Sequence, residues 1–281
     1  MTTKFPSIAD RRRIFRDLHG SGCFVIPNPW SAGSAKYLEH LGFKALATTS
    51  SGFAWSQGLA DGRISRDQAL AHFESLVAAT SLPVNADFES GYANNLIELA
   101  ENVSLAVRTG IAGLSIEDST GHASRPLYDI DTAVERMRTA RRAIDRTGDD
   151  TLLIGRAECY LVGRPDLTET VDRLRAYSDA GADCLYAPGL ETREDIAAVV
   201  AAVAPKPVNL LIGSTSHFSL TDVASLGVRR ISVGGALARS AWGEFMRAAE
   251  SIAKEGRFDG FANAASGTEL NQFFADRARQ P

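Results

Sequence analysis

The groups in this chain best suited to chemistry are carboxylates and one arginine placed where short apolar runs end. They are Asp87 and Glu89 in Asn85-Ala86-Asp87-Phe88-Glu89, Glu117 with Asp118, Arg156-Ala157-Glu158, and Asp61 before Gly62. Alternate residues of an extended strand share a face, so Asn85, Asp87 and Glu89 point the same way while the extended backbone lasts. Asp87 and Glu117, with Asn85 and Asp61 near, form an all-oxygen set suited to a hard divalent cation, Mg2+ or Mn2+. Such an ion keeps several waters, so one or two carboxylates in direct contact suffice. It would bind an α-oxo or α-hydroxy carboxylate and, as a Lewis acid, stabilise an enolate as a bond to the adjacent carbon breaks. Arg156 could grip a substrate carboxylate bidentately, or pair with the acids around it. The Thr49-Ser50-Ser51-Gly52 turn supplies hydroxyls and backbone donors, and Asn209 a carboxamide. Trp30 and Trp55 sit in loops that could wall a pocket. Imidazole chemistry makes His122 a candidate acid, and Glu158 is another; Cys159 stands beside Glu158. His19, His40, His72 and His217 have no partner that the sequence identifies.

These groups need elements to hold them. One phrase recurs: a helical stretch closes in Gly, and a short apolar run follows. It appears at Gly42 before Ala45–Thr49, Gly110 before Leu114–Glu117, Gly181 before Cys184–Tyr186 and Gly227 before Ile231–Val233. Glycine just past a helix accepts the left-handed conformation that ends it, so each phrase reads as helix, cap, buried strand. Phe24–Ile26, Pro83–Asp87, Leu152–Arg156 and Pro207–Leu211 bring the strands to eight. Between them, Ser65-Arg66-Asp67-Gln68 has the form of a capping box opening a helix through Ala79. Segments 131–147, 167–180, 192–204 and 239–254 carry apolar residues three to four apart. Strands alternating with helices imply parallel pairing, and eight such units in about 250 residues predict an α/β fold, the closed (β/α)8 TIM barrel. A barrel places its active site at the C-terminal ends of its strands, where the polar groups above fall. A doubly wound sheet is the alternative, but no Gly-x-Gly-x-x-Gly follows the first strand.

The 281 residues carry 30 Lys plus Arg against 34 Asp plus Glu, a net charge of −4. No block of like charge is long enough for an interaction tail, which argues against nucleic acid and membrane partners. The polar start of the chain, with Arg11, Arg12 and Arg13 in a row, lacks a signal peptide's apolar core. Three scattered cysteines form no disulfide framework, so a cytoplasmic location is expected. We expect one domain over 1–281, with an N-terminal helix in 1–20 and a C-terminal arm in 256–281.

At these residues the chain resembles the isocitrate lyase and phosphoenolpyruvate mutase superfamily. The resemblance runs from about Cys23 to Ala249 and rests on motifs in order: Asn28-Pro29-Trp30-Ser31-Ala32-Gly33, Thr49-Ser50-Ser51-Gly52 with Asp61-Gly62, Asn85-Ala86-Asp87 before Gly91-Tyr92, Ile116-Glu117-Asp118, Gly155-Arg156-Ala157-Glu158 and Val208-Asn209. It implies a Mg2+-dependent barrel enzyme that makes or breaks C–C or P–C bonds in small oxo acids. Asp87 would touch the metal, with Asp61 and Glu117 reaching it through water. Thr49, Ser50 and Ser51 match the turn that binds substrate carboxylate and oxo groups; Arg156 and Asn209 match substrate-contacting positions, and Arg239 matches more weakly. The resemblance also implies homodimers or tetramers that exchange the last helix.

Departures narrow the expected chemistry. The loop Ser119-Thr120-Gly121-His122-Ala123-Ser124-Arg125-Pro126 lacks the lyases' catalytic Cys and the mutases' Asn. Asn85 stands where Asp is frequent, Glu158 where Asp is usual, and Pro188 where isocitrate-type lyases carry a Glu. Decarboxylation or retro-aldol cleavage of a small oxo acid survives these losses best. The alternatives are a P–C bond mutase or hydrolase, a non-catalytic oxo-acid binder, and a barrel enzyme for a phosphorylated substrate held at Gly213-Ser214 and Gly234-Gly235.

Overall fold

A computed structural model describes residues 5–278; the outermost ends of the expected N-terminal helix and C-terminal arm lie outside the described residues. Eight parallel strands follow one another around a barrel: β1 (Phe24–Ile26), β2 (Leu46–Ala47), β3 (Val84–Asp87), β4 (Gly113–Glu117), β5 (Leu152–Arg156), β6 (Cys184–Tyr186), β7 (Val208–Leu211) and β8 (Arg230–Ser232). Each pairs in parallel with its neighbour in the order β1-β8-β7-β6-β5-β4-β3-β2. At the seam, Ala47 N–H donates to the Pro27 carbonyl (3.0 Å). Asn28 fastens the same corner: its Nδ2 donates to Thr48 O (2.8 Å), and its Oδ1 accepts from the amides of Val233 and Gly234 (2.9 Å each).

The helices alternate with the strands as the glycine phrases predict. Gly42, Gly110, Gly181 and Gly227 have φ of +86°, +89°, +102° and +85°. They close α2 (Ala32–His40), α5 (Leu96–Arg108), α7 (Leu167–Asp179) and α9 (Leu220–Ser225). The Ser65–Gln68 capping box is present at the start of α4 (Arg66–Ala79). Segments 131–147 and 192–204 are the helices α6 (Ile130–Thr147) and α8 (Arg193–Val203). Two boundaries differ from expectation by more than one residue. Strand β2 stops at Ala47 because Thr49 turns to cap α3 (Ser50–Ser56), accepting from Gly52 N–H. Helix α10 starts at Ala236, ahead of the expected Arg239, and runs to Glu255.

The N-terminal helix α1 (Ile8–Gly20) plugs the bottom of the barrel with Phe15, which is fully buried. Gly113 makes room for it: a Cβ there would lie 2.7 Å from the Phe15 ring and 2.8 Å from Asn85 Oδ1. The arginine run at 11–13 is thus only partly a polar surface. Arg11 donates to Val77 O (2.8 Å), and Arg12 to Val107 O (2.8 Å) and Ile111 O (3.0 Å), so both sit buried on carbonyls where α4 and α5 end. At the other terminus, α11 (Gly267–Ala278) folds back onto α2, with Phe273 5.4 Å from the Tyr37 ring. No described helix is long and apolar enough to cross a membrane.

TIM-barrel interiors are filled largely by bulky branched side chains. Here the strands place Asn85, Ser115, Asn209, Arg230 and Ser232 inside, all buried, so the barrel carries a polar hydrogen-bonded floor beneath its mouth.

Candidate active site

The ends of β2 to β5 bring the predicted acids and Arg156 together. Arg156 Nη1 lies 3.2 Å from Asp87 Oδ1 and 3.2 Å from Glu117 Oε2, and its Nε donates to Glu158 Oε1 at 2.5 Å. Its guanidinium lies over the Tyr186 ring at 5.2 Å. Arg156 is therefore engaged with three acids, and of its donors only Nη2 has no acceptor among the described residues. The other oxygen of Asp87 accepts from Ser50 twice, from the amide (3.0 Å) and the hydroxyl (2.8 Å). Its own N–H donates to Thr48 Oγ1 (2.8 Å). The Thr49-Ser50-Ser51-Gly52 turn thus aims Asp87 as well as facing the pocket. Gly52 N–H is spent on Thr49 Oγ1 (3.2 Å), while Thr49 Oγ1 and Ser51 Oγ lie 3.1 Å apart.

Asp87, Arg156 and residues 48–51 line a pocket of about 180 Å3 with Asn28, Asp61, Asn85, Ser115, Tyr186, Arg230 and Ser232. A wider cavity of about 770 Å3 opens above it, walled by Trp55, Leu161, residues 210–218 and Arg239. There Gly213-Ser214 and Gly234-Gly235 do share one space, and exposed Arg239 donates to the Gly213 carbonyl.

Sequence reasoning put Glu89 on the face of Asp87 but left it out of the metal set. Strand geometry ends at Asp87, and Glu89 has φ +47°, a left-handed conformation that is uncommon outside glycine and marks strain at functional sites. Its carboxylate nonetheless joins the acids and accepts from the Tyr92 hydroxyl (3.0 Å). The Asp87-x-Glu89 spacing carried that signal. Burial, then Asp87, push the Glu89 carboxyl up to about 7. Burial and Asp87 also raise Asp61, while burial raises Glu117 and Glu158 against the pull of Arg156. Three carboxylates contact one guanidinium, and the charge of Asp87 reaches two more, Asp61 and Glu89.

The remaining candidates fall elsewhere. Asp118 turns out of the barrel and accepts from Tyr177 Oη (2.5 Å), Arg173 Nη1 (3.0 Å) and Glu158 N (2.8 Å), which anchors the end of β5. Asn85 points inward, but toward Arg230 Nη1 (3.4 Å). Both ends of the Asn209 carboxamide are taken: Nδ2 donates to Ser232 Oγ (2.9 Å), and Oδ1 accepts from Arg230 Nε (2.8 Å). Trp30 packs behind Gly52. His122 is exposed on its loop and lines neither space. Cys159 is fully buried, and burial raises its thiol.

Among the described residues no three His, Cys, Asp or Glu side chains form a ready-made metal cage. The donor set still fits a hard cation that keeps most of its waters. It offers oxygen only, it holds more negative charge than Arg156 balances, and that excess contributes to the raised carboxyls.

Comparison with known proteins identifies the family. Residues 15–253 match the family model described as phosphoenolpyruvate phosphomutase. A Mycobacterium tuberculosis protein, uncharacterized protein Rv1998c, is 32% identical over 222 residues, covering 78% of this chain and 81% of that one. The oxaloacetate decarboxylase of Chromohalobacter salexigens is 30% identical over 243 residues, covering 82% and 81%. Among solved structures, a lyase/mutase candidate from Burkholderia cenocepacia J2315 shares 47% identity at TM-score 0.92, covering 95% of this chain and 97% of that one. The chain is thus an enzyme that belongs to the phosphoenolpyruvate phosphomutase family, within the isocitrate lyase and phosphoenolpyruvate mutase superfamily.

Proposed function

We propose that the protein is a divalent-metal-dependent C–C lyase or decarboxylase acting on a small α-oxo or α-hydroxy carboxylate through an enolate. The observation that carries this is the charge imbalance at the barrel mouth, where Asp87, Glu117 and Glu158 contact Arg156 and Asp61 and Glu89 lie near enough to Asp87 for its charge to raise them. Asp87 would hold Mg2+ or Mn2+ directly, with Asp61, Glu89 and Glu117 reaching it through water. When bound, such an ion supplies Lewis acidity to an oxo or hydroxy oxygen. Ser50 fixes Asp87 through two hydrogen bonds. Arg156 keeps Asp87, Glu117 and Glu158 from collapsing or dispersing, and its Nη2 remains to meet a substrate oxygen. Glu89, half protonated near neutrality, holds a proton beside the cluster. The narrow pocket excludes bulk water from a short acid, while the wider cavity admits it.

A panel of small oxo and hydroxy acids with Mg2+ or Mn2+, followed for pyruvate, glyoxylate and CO2, tests the reading. Oxaloacetate heads the panel because a relative is an oxaloacetate decarboxylase. Turnover that persists in excess chelator would sink it.

We also propose a homo-oligomer. Helix α10 spans 20 residues, yet only Ala238 on it is buried; Trp242, Phe245 and Met246 are 38%, 60% and 52% exposed. A second copy would cover that face, with the arm exchanged or folded back as here. Light scattering that gives a monomer would refute this.

A further inference from the structure

Arg230 is a buried cation that nothing assigned so far explains. It rises from the start of β8 into the barrel and is 2% exposed. Other buried arginines without acids of their own, Arg11 and Arg136, are spent on backbone carbonyls. Arg230 has only neutral side-chain partners: Asn209 Oδ1 at 2.8 Å, with Asn85 Oδ1 and His19 Nε2 at 3.4 Å, near the limit of a hydrogen bond. His19 cannot balance it, because Nδ1 meets the Phe15 carbonyl (2.7 Å) and leaves a neutral ring facing the guanidinium. No carboxylate pairs with Arg230 among the described residues, and its Nη2 has no acceptor there. A guanidinium cannot shed its proton, and an unpaired buried charge is unfavourable.

Arg230 also lines the site pocket, alongside small side chains at Ala47, Ser115 and Ser232. Its Nη1 meets Asn85, two residues below Asp87 on the same inward face of β3, a step of about 6.6 Å. That step matches the reach of a short diacid from the carboxylate cluster to the floor.

We propose that Arg230 forms a second anion subsite, and that the ligand is a short α-oxo or α-hydroxy diacid whose far carboxylate rests on Arg230. This rests on the metal-dependent reading above for the near carboxylate. Asn209, tied to Ser232, holds the guanidinium in place.

Calorimetric titration with Mg2+ compares malate, which carries the second carboxylate, with lactate, which lacks it. Wild type is expected to prefer malate by at least about tenfold, as a charge-assisted bond to a buried cation would give. In Arg230→Met the preference falls to about onefold, and in Arg230→Lys it is intermediate; the lysine variant carries the comparison should the methionine variant not fold. An unchanged preference in either folded variant overturns the subsite. So does a wild type indifferent to the second carboxylate, or a preference that collapses in Arg239→Ala instead, which would put the far carboxylate in the outer cavity. Oxalate, with both carboxylates at the metal, reports on the cluster alone. Loss of Mg2+-dependent oxalate binding in wild type removes the metal reading, whereas oxalate retained in Arg230→Met with the malate preference gone supports the subsite.

Discussion

Two arginines mark two levels of one barrel. At the rim, Arg156 is held by Asp87, Glu117 and Glu158; at the floor, Arg230 is held by Asn209, Asn85 and a neutral histidine. The rim has more negative charge than its arginine balances, and the floor has a positive charge that no acid balances. Neither level is complete by itself. A cation added at the rim and an anion reaching the floor would settle both, and a metal with its chelated diacid is such a pair. The polarity inside the barrel is therefore read as a binding axis, from carboxylates above to a guanidinium below.

The largest expected effect comes from removing the anchor of the rim. Asp87→Ala should lower metal-dependent turnover by about a thousandfold or more, since it removes the direct ligand of a Lewis acid worth several kcal/mol. Steady-state kinetics at saturating Mg2+ checks this, and near-normal activity would show that the rim is not the reaction centre.

Arg156→Gln comes next. Breaking a buried ion pair by removing one partner costs about 3–5 kcal/mol, and here three carboxylates lose their shared cation. Urea unfolding should show the loss, smaller at pH 5 than at pH 8 because protonated acids no longer repel. An equal loss at both pH values would mean that packing on Tyr186 matters more than charge.

The sequence made the frame legible and half of this contrast. The glycine phrases announced helix ends and strand starts because glycine readily takes the left-handed conformation that closes a helix, and Gly42, Gly110, Gly181 and Gly227 all adopt it. Asp87, Glu117 and Arg156 were legible because polar groups at the ends of apolar strands have one place to go in a barrel. Arg230 was not, because it stands at the start of a strand, where an arginine looks like a surface residue. Asn209 was visible as a polar strand residue, but not its two partners, which come from β8. Glu89 was legible as a same-face neighbour of Asp87 but not as a member of the metal set, because its turn backbone ends the strand before it. His122 looked chemical by type alone, and its loop leaves it in solvent.

Glu89 makes a pH prediction for the rim. Its folded carboxyl is pushed up to about 7 from an ordinary 4.5, by burial first and Asp87 second. Between those values the folded state binds more protons than the unfolded, so metal-free stability falls as pH rises, by about 2.5 kcal/mol from pH 5 to pH 8. Glu89→Gln should remove this contribution and raise stability at pH 8, leaving whatever fall the raised Asp61, Glu117 and Glu158 carry. Thermal melts across the range check it; a slope unchanged in the variant would place the titration elsewhere.

The floor gives the opposite slope. Burial, then Arg230, hold His19 down to about 3, so the unfolded state binds more protons between about 3 and 6.5 and stability rises with pH there. From pH 5 to pH 7 this amounts to about 2 kcal/mol, and His72, held at about 4 by burial, adds in the same direction. The rim and the floor thus oppose each other through the acid range, and the wild-type profile should be flatter than either contribution. Glu89→Gln should unmask a rise from pH 5 to pH 7, and His19→Asn should unmask part of the fall, less the share that His72 still opposes. If both variants keep the wild-type profile, the charges at the two levels do not set the stability of the barrel, and the contrast between Arg156 and Arg230 loses its energetic basis.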